Sequence, residues 1–126
     1  MILEIIENET VRRFFNALPY PEYWPEGLDA IAAGNRFFGV YNPDLIGVFW
    51  LQPHGMEAEA HVGFVKECRG PEAKDAAERF RRWVFENTEY HTIFAEVIEP
   101  HVALFAKWCG MKRVNGRFEV QKCQKV

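Results

Sequence analysis

The stretch that decides the fold is residues 57–98, EAEAHVGFVKECRGPEAKDAAERFRRWVFENTEYHTIFAEVI. Its first part, Glu57–Val65, alternates polar and apolar residues, which is typical of a half-buried strand. Pro71 suits the first position of a helix, where no backbone donor is needed. Thr92–Ile98 is nearly continuously apolar, as in a strand covered on both faces. Two strands joined by a helix need a right-handed crossover, so the pattern predicts a parallel pair.

The helix between these strands has the clearest periodicity in the chain. Its apolar residues form one stripe at helical spacing: Ala73, Ala76, Ala77, Phe80, Trp83 and Val84. Charged residues flank the stripe, so the pattern predicts an amphipathic helix with one buried face. We expect this helix to end near Asn87-Thr88.

The residues on the amino-terminal side predict a strand, a helix and a hairpin. The segment Pro19–Gly27 holds three prolines and three aromatic residues, which excludes a regular helix or a central strand. We expect a stiff loop there, with a short helix through Ala33. The other predicted elements are a strand over Met1–Glu7, a helix over Val11–Leu18 behind the capping residues Asn8 and Thr10, and an antiparallel hairpin of Arg36–Tyr41 with Leu45–Leu51, followed by a turn at Pro53-His54-Gly55.

The carboxyl-terminal side predicts one more helix and a closing hairpin. The helix begins at Pro100, ends at Trp108 and is capped by Gly110. Asn115-Gly116 is the strongest short signal for a hairpin turn, so Met111–Val114 and Arg117–Val126 are expected to pair. Together the elements predict an α/β (α+β) fold, with a mixed, mostly antiparallel sheet of about six or seven strands, a central parallel pair and about four flanking helices.

Composition and charge limit the class of protein. The chain has 126 residues, of which 48% are apolar and 26% charged, with a formal net charge of -3. This balance excludes wholesale disorder and fits a single domain over 1–126. No run approaches the roughly 18 consecutive apolar residues that span a bilayer, and the acidic start is unlike a signal peptide. We therefore expect a cytoplasmic protein without a membrane partner, and the acidic balance predicts no nucleic-acid partner.

The cysteines predict neither a disulfide framework nor a metal site. Cys68, Cys109 and Cys123 are odd in number and lack paired spacing, which argues against disulfides and against zinc. We expect free thiols in a reducing compartment, with Cys109 and Cys123 packed in the interior rather than reactive.

This order of elements, with these residues, resembles the GNAT (GCN5-related N-acetyltransferase) superfamily. The resemblance covers most of the chain and is best from Arg36 to Arg113. Glu59–Phe64 looks like the family's fourth strand, and Glu99–Met111 looks like its closing helix, which ends in Gly110-Met111 where the family usually has Gly-Phe. The resemblance implies acetyl-CoA as co-substrate, an amine as acceptor and no metal.

The resemblance also implies where the co-substrate binds. In the family, the fourth and fifth strands splay apart, the pantetheine arm pairs with strand backbone, and the pyrophosphate rests on amides at the start of the next helix. The acyl-CoA signature falls here on Cys68–Lys74. The residues implied as cofactor-binding are Val62, Gly63 and Phe64 for pantetheine, Arg69, Gly70, Ala73 and Lys74 for phosphate, and His101 as an alternative donor where the family's Asn falls on Glu99.

The chain departs from the family signature at several positions. Glu72 and Lys74 stand where the family has small residues, and Pro71 removes one backbone donor. A carboxylate at position 72 disfavours a phosphate in the same helical turn, whereas Arg69 and Lys74 partly offset it. The Tyr that assists the leaving thiolate in the family falls on Ala106, so no general acid is evident.

Three residues are candidates for the catalytic base. Glu59 and His61 are alternate residues of one predicted strand and so share a face, and several family members carry a base on that strand. A row of solvent-facing polar residues, or a half-buried histidine with its polar groups satisfied, is the alternative interpretation. Glu96 lies in an apolar strand, where burial would raise the pKa of its carboxyl group; the alternative is that it faces a groove or pairs with an arginine. The aromatic loop residues Tyr20, Tyr23 and Trp24 lie where relatives build the acceptor wall, or form a lid over the core.

Three functions fit this sequence. The first is an acetyl-CoA-dependent N-acetyltransferase that acts by direct attack of the amine on the thioester. The second is a catalytically degenerate structural or assembly protein, because short GNAT-like proteins occur in tailed-phage virions and heads and this chain is similar to them in size and pattern. It would then be virion-associated. The third is a module that binds CoA without turnover. A second copy of the chain, or a virion protein, is the protein partner expected.

Overall fold

The structure is a computed structural model that describes residues 1–17, 29, 33–96 and 100–122. The strands are β1 (Ile2–Ile6), β2 (Phe37–Tyr41), β3 (Leu45–His54), β4 (Glu57–Phe64), β5 (Thr92–Ala95), β6 (Lys112–Val114) and β7 (Arg117–Gln121). The helices are α1 (Asn8–Ala17), α2 (Pro71–Asn87) and α3 (Pro100–Trp108), with a 3-10 turn over Lys66–Cys68. The short helix expected to end at Ala33 lies mostly outside the described residues.

The described strands form one mixed sheet in the order β1-β2-β3-β4-β5-β7-β6. β1 pairs antiparallel with β2, β2 with β3, β5 with β7, and β6 with β7. β4 and β5 are parallel, because α2 carries the chain back to the edge at which β4 began. The predicted fold class, a mostly antiparallel sheet with a central parallel pair, is confirmed.

The described residues group into two compact units, which are described separately. The first contains Met1–Leu51 and His61–Ala73, and the second contains Gln52–Ala60 and Lys74–Val126. The expectation of a single domain over 1–126 stays a prediction.

In the first unit, aromatic side chains of α1 and the sheet form a core. Phe15 and Phe37 both contact Trp50, whose side chain is only 1% exposed. The full cluster is Val11, Phe14, Phe15, Phe37, Val48 and Trp50. The helical spacing of the α1 residues places them on one face of that helix, so the sequence pattern and the burial agree.

In the second unit, one sheet face is apolar and α2 and α3 are linked by a hydrogen bond. Ile93 and Phe118 are buried. The Arg81 Nη1 atom donates to the carbonyl oxygen of Cys109, 3.0 Å away, which satisfies a carbonyl at the end of α3. Gly110 follows at φ 89°, the left-handed conformation that the predicted glycine cap requires.

Several predicted boundaries shift in the structure. The turn predicted at Pro53-His54-Gly55 is wrong, because β3 continues to His54 and the chain turns at Gly55 and Met56. The prediction of Asn8 and Thr10 as preceding caps is also wrong. Both residues are already helical, because the amide of Val11 donates to the carbonyl of Glu7, 3.1 Å away, and starts the helix one turn earlier.

The hairpin turns and the central helix agree closely with the sequence pattern. α2 runs from Pro71 to Asn87, as the proline and the apolar stripe predict. Asn115 and Gly116 have φ of 51° and 82°, the pair of positive values that a type I′ turn needs. β5 ends at Ala95. The sequence pattern predicts that this strand continues to Ile98, but Val97 and Ile98 lie outside the described residues.

Candidate functional site

Among the described residues, the parallel ladder between β4 and β5 is short. It joins Glu57 to Thr92, Ala58 to Ile93 and Glu59 to Phe94. β4 then continues through residues 60–64, beyond the last of these pairs. This segment contains the three residues expected to meet pantetheine, of which Gly63 and Phe64 are buried and Val62 is half-buried. Strand backbone beyond a ladder retains donors and acceptors that an extended ligand can pair with.

The end of β4 is tied to the segment that leads into α2. The Nε atom of Arg69 donates to the carbonyl oxygen of Phe64, 3.2 Å away. The 3-10 turn is closed by the amide of Cys68, which donates to the carbonyl of Val65 at 3.0 Å. A Cβ atom placed on Gly70 would meet no atom within 4 Å. The predicted phosphate-binding residues Arg69 and Gly70 therefore lie just beyond the end of β4.

Glu72, one of the residues that depart from the family signature, is hydrogen-bonded to a neighbour. The Nδ2 atom of Asn42 donates to its Oε2 atom, 3.0 Å away. Burial, together with the carboxylates of Glu72 and Glu67, raises the pKa of the Cys68 thiol. Cys68 is thus a protonated thiol at neutral pH and not an activated nucleophile.

Lys74 lies in the first turn of α2 and has two neighbours. Its Nζ atom is 2.7 Å from the Oε1 atom of Glu78, one turn later, and 5.5 Å from the ring centroid of Trp108. The hydrogen bond and charge of Lys74 lower the pKa of Glu78. Ala73, the other residue expected at this turn, is buried, at 2% exposure, so its backbone rather than its side chain is available to a ligand.

Two of the three candidate bases lie on β4. The Glu59 carboxylate is 3.8 Å from Nε2 of His54, and its side chain is 16% exposed. His61 is half-buried, and its ring stacks on that of Trp50, with centroids 5.1 Å apart and planes 9° from parallel. The ring of His61 is therefore held in one plane against Trp50, whereas the contact of the Glu59 carboxylate with the half-exposed His54 is long.

Glu96, the third candidate, is in a different environment. It follows the last residue of β5 and is exposed. Glu96 is a candidate base on the expectation, from the sequence, that it is buried in an apolar strand. The exposure of Glu96 does not meet that expectation. Its assignment as a base stays a prediction without structural support.

Sequence reasoning missed a cluster in the second unit, centred on Arg117. The Arg117 guanidinium lies 4.0 Å from the ring centroid of Phe94. It donates to Glu57 at 2.8 Å and to Glu119 at 3.0 Å, and His54 contacts the same Phe94 ring edge-on at 5.3 Å. The hydrogen bond to Glu57, and then the hydrogen bond to Glu119 and the charges of both carboxylates, raise the pKa of Arg117. Glu57 and Arg117 are 60 positions apart, so no local sequence pattern predicts their hydrogen bond.

Other candidates lie partly or wholly outside the described residues. The backbone of His101 belongs to α3, but its side chain is not among the parts of the chain that the structure describes. Glu99 and the loop residues Tyr20, Tyr23 and Trp24 lie outside the described residues altogether. Ala106, in the position of the family's Tyr, is buried at 6% exposure. Among the residues that the structure describes, no group of three or more His, Cys, Asp or Glu side chains could hold a metal ion.

The cysteines agree with the sequence expectation where they are described. Cys68 and Cys109 are free thiols, and Cys123 lies outside the described residues. Burial raises the pKa of the Cys109 thiol to about 11, as expected for a packed and unreactive residue. In the same part of the chain, no helix is long and apolar enough to cross a membrane.

This arrangement of strands and helices is similar to that of solved N-acetyltransferases. A chimera of spermidine N-acetyltransferase SpeG from Vibrio cholerae and hSSAT matches at TM-score 0.72 and 19% identity, over 97% of this chain and 96% of that one. SpeG from the same organism in complex with CoA and spermine matches at 0.68 and 19%, over 96% and 95%. A dodecameric spermidine N-acetyltransferase from Vibrio cholerae matches at 0.69 and 18%, over 96% and 93%.

These neighbours are members of the GNAT superfamily, and the chain has the GNAT fold. The expected resemblance is therefore confirmed at the level of fold. The sequence itself matches no family model and no curated protein. All three of these neighbours are acetyltransferases, and none of the comparisons supports the virion or head-assembly alternative.

Proposed function

We propose that this protein is an acetyl-CoA-dependent N-acetyltransferase that transfers an acetyl group to an amine. The observation that carries the proposal is the short β4–β5 ladder: its last pair within the described residues is Glu59 with Phe94, and β4 runs five residues further, over 60–64. The amide groups of an extended pantetheine chain match the hydrogen-bonding pattern of such a strand. The GNAT fold of the chain and a neighbour's complex with CoA support this interpretation.

The segment after β4 supplies the groups that would hold the phosphates. Arg69 is anchored to the end of the strand, and Gly70 leaves open space beside its Cα atom. The amides that begin α2 add the partial positive charge of a helix N-terminus. Glu72 opposes this charge, and its hydrogen bond with Asn42 fixes one of its carboxylate oxygens.

The proposed reaction is direct attack of a neutral amine on the acetyl carbonyl carbon. A carbon–nitrogen bond forms, the carbon–sulfur bond of the thioester breaks, and CoA leaves as a thiolate. The proton lost by the amine passes to a base on β4, and the thiolate takes up a proton from solvent, because Ala106 supplies no acid. We assign the base to His61, with Glu59 on the same face as the second candidate, since imidazole exchanges protons most readily near neutral pH.

The acceptor is proposed to be a primary amine, and polyamines are the first compounds to test. The solved neighbours are spermidine N-acetyltransferases, and one is bound to spermine. Self-association of the chain stays a prediction, which the dodecameric neighbour supports.

The test is release of CoA thiol from acetyl-CoA in the presence of spermidine, spermine or a lysine peptide, with calorimetry of acetyl-CoA binding alongside it. We expect turnover with at least one amine, and His61→Gln should lower kcat by about a hundredfold or more, the usual contribution of a positioned base. Arg82→Gln, on an exposed position of α2, is the matched control and should retain full activity.

The outcomes separate the three functions. No detectable heat at millimolar acetyl-CoA would overturn both the enzyme and the CoA-binding module. Binding that is abolished by Arg69→Ala, with no turnover for any amine, would favour the module. Equal kcat for His61→Gln and the unmutated chain would remove His61 as the base and leave Glu59, which Glu59→Gln then tests.

A further inference from the structure

A parallel stack of two rings in the first unit fixes the plane of the His61 imidazole. The imidazole lies against the indole of Trp50, with centroids 5.1 Å apart and planes 9° from parallel. The second side-chain torsion of a histidine has broad preferences, so an imidazole without such a neighbour turns readily about its bond to Cβ. A flat surface on one face removes this freedom, because a turn out of plane would bring the edge of the imidazole into the indole.

The indole that supplies this surface is held by the aromatic core. Trp50 is 1% exposed. Phe15 meets its ring edge-on, with centroids 6.0 Å apart, and Phe37 lies against it at 5.2 Å. The core of the first unit therefore determines the plane of an imidazole that is itself only half-buried.

We propose that Trp50 is a positioning residue for acetyl transfer, which orients the His61 ring for proton transfer. This inference rests on the proposed function, in which a ring nitrogen of His61 takes the proton that the attacking amine loses. Both nitrogens and their lone pairs lie in the plane of the ring, so this plane decides the direction from which a proton is accepted. Proton transfer depends on such alignment, and a misplacement of about 1 Å can cost on the order of a hundredfold in rate.

The alternative is that Trp50 only stabilises the fold. Loss of any large core side chain destabilises a protein, and a fall in activity alone does not separate the two roles. They differ in one respect. The effect of a positioning residue on kcat requires His61, whereas the effect of a purely structural residue is the same with or without the imidazole. A double-variant cycle measures this difference.

The test is such a cycle on the kcat of acetyl transfer, with Trp50→Leu, His61→Gln and the two changes combined. We expect Trp50→Leu to lower kcat on the order of ten- to a hundredfold. The KM of the amine and the Kd of acetyl-CoA should not change, because the substitution alters the base and not the binding of either substrate. In the His61→Gln background, Trp50→Leu should lower kcat no further.

Two further variants separate the flat ring from the bulk of the core. Trp50→Phe removes the indole nitrogen, which has no hydrogen-bond partner among the described residues, and keeps a flat ring, so it should retain most of the kcat. Phe14→Leu is the matched core control, because Phe14 belongs to the same buried cluster and meets Phe15 edge-on, with centroids 5.8 Å apart. It should lower the melting temperature and leave kcat unchanged.

Nuclear magnetic resonance tests the stack without relying on activity or on a Trp50 variant. An indole shifts the resonances of protons held over its face to higher field. The ring protons of His61, identified by their loss in His61→Gln, should therefore resonate at higher field in the folded chain than in the urea-unfolded chain. Equal positions in the two states would overturn the inference, even if Trp50→Leu failed to fold.

The outcomes separate this inference from the proposed function. A loss of kcat in Trp50→Leu that is absent in Trp50→Phe and in the His61→Gln background supports the inference. Equal fold losses in the two backgrounds, no loss in either, or an equal loss in Trp50→Phe or Phe14→Leu would overturn it, while acetyl transfer by the unmutated chain would still support the enzyme. No transfer to any amine by the unmutated chain would overturn the proposed function, and the role of Trp50 in proton transfer with it.

Discussion

The imidazole of His61 lies parallel to the indole of Trp50, 5.1 Å away between centroids. Trp50 is one of the most buried side chains of the first unit, at 1% exposure. A rigid aromatic face under a half-buried imidazole restricts the ring to one orientation, and preorganisation of this kind is what a proton-transfer group needs. Trp50 thereby connects the α1 core to the proposed catalytic strand.

The indole nitrogen of Trp50 leads to the first prediction. It is a buried donor with no hydrogen-bond partner among the described residues. Trp50→Phe removes the donor and keeps an aromatic ring, so we expect the free energy of unfolding to change by no more than about 1 kcal/mol. Trp50→Ala should cost about 3–5 kcal/mol, because it leaves a large cavity. Urea denaturation measures both values, and a Trp50→Phe cost equal to that of Trp50→Ala would contradict the absence of a partner.

Gly47 gives the second prediction, through its contact with Phe64. A Cβ atom at Gly47 would lie 2.6 Å from Cε1 of the Phe64 ring, and this ring is itself held edge-on by Phe49, with centroids 5.6 Å apart. Gly47→Ala should therefore destabilise the protein by about 1–3 kcal/mol through overpacking. Thermal unfolding measures the change.

Gly70→Ala is the matched control for Gly47→Ala, since a Cβ atom there meets nothing within 4 Å. It should leave the melting temperature nearly unchanged. The double variant Gly47→Ala with Phe64→Leu should recover part of the stability lost by Gly47→Ala alone. An additive loss in the double variant would show that the ring is not the source of the strain.

Cys109 gives a pH prediction. Burial raises its pKa from an ordinary 9.0 to about 11, so the folded state holds the thiol proton more tightly than the unfolded state. The associated stability is fully present below pH 9 and is lost as pH rises from about 9 to about 11. Between these two pH values, the free energy of unfolding of Cys109→Ala should fall less than that of the unmutated chain. The difference between the two losses should be up to about 2 kcal/mol. Urea unfolding of both proteins at about pH 8 and about pH 10.5 measures the two losses. Equal losses in Cys109→Ala and in the unmutated chain would contradict the prediction.

Arg117 supports the fourth prediction. It is shared by Glu57 and Glu119 and lies over Phe94, so Arg117→Gln removes one guanidinium from two carboxylates and one ring. We expect a melting temperature lower by a few degrees, roughly 2–5 °C. The control is Arg79→Gln, because the Arg79–Asp75 pair is about half exposed on both sides and such pairs contribute little. Equal decreases in melting temperature for Arg117→Gln and Arg79→Gln would show that the contacts of Arg117 stabilise the protein no more than an exposed ion pair does.

Glu72 supplies the last prediction, which concerns acetyl-CoA. A carboxylate in the first turn of α2 repels a phosphate bound there, so Glu72→Gln should tighten acetyl-CoA binding about two- to fivefold at low salt. The gain should shrink above about 0.5 M salt, where exposed charges are screened. Glu86→Gln, exposed at the far end of α2, should leave the Kd unchanged. Calorimetry at two salt concentrations measures the Kd of acetyl-CoA for each variant. A higher Kd for Glu72→Gln than for the unmutated chain would mean that the Glu72 carboxylate helps to bind the ligand.

Much of the fold could be predicted because its signals are local. The apolar stripe of α2, the helical start at Pro71 and the Asn115-Gly116 turn depend on residues close together in sequence. The element order then leaves few topologies, since a strand–helix–strand unit must cross over with one hand. Boundaries were harder to predict, because the length of β3 depends on pairing with strands that no local pattern describes.

The candidate site was predictable only in part. Arg69, Gly70, Glu59 and His61 were located by their positions relative to one strand and one helix. Their partners were not, because Trp50 stacks on His61 across 11 positions of the chain and Arg117 reaches Glu57 across 60. A sequence pattern carries no information on such contacts until the strands are placed side by side.

The amino-acid sequence by itself determined the order of strands and helices, the parallel crossover and the turn at Asn115-Gly116, because these follow from backbone chemistry and from hydrophobic spacing over a few residues. The tertiary structure alone decided which charges are paired, which rings are stacked and which residues of β4 pair with β5. Those features are set by distances between segments far apart along the chain, and only the packing of the folded protein fixes such distances.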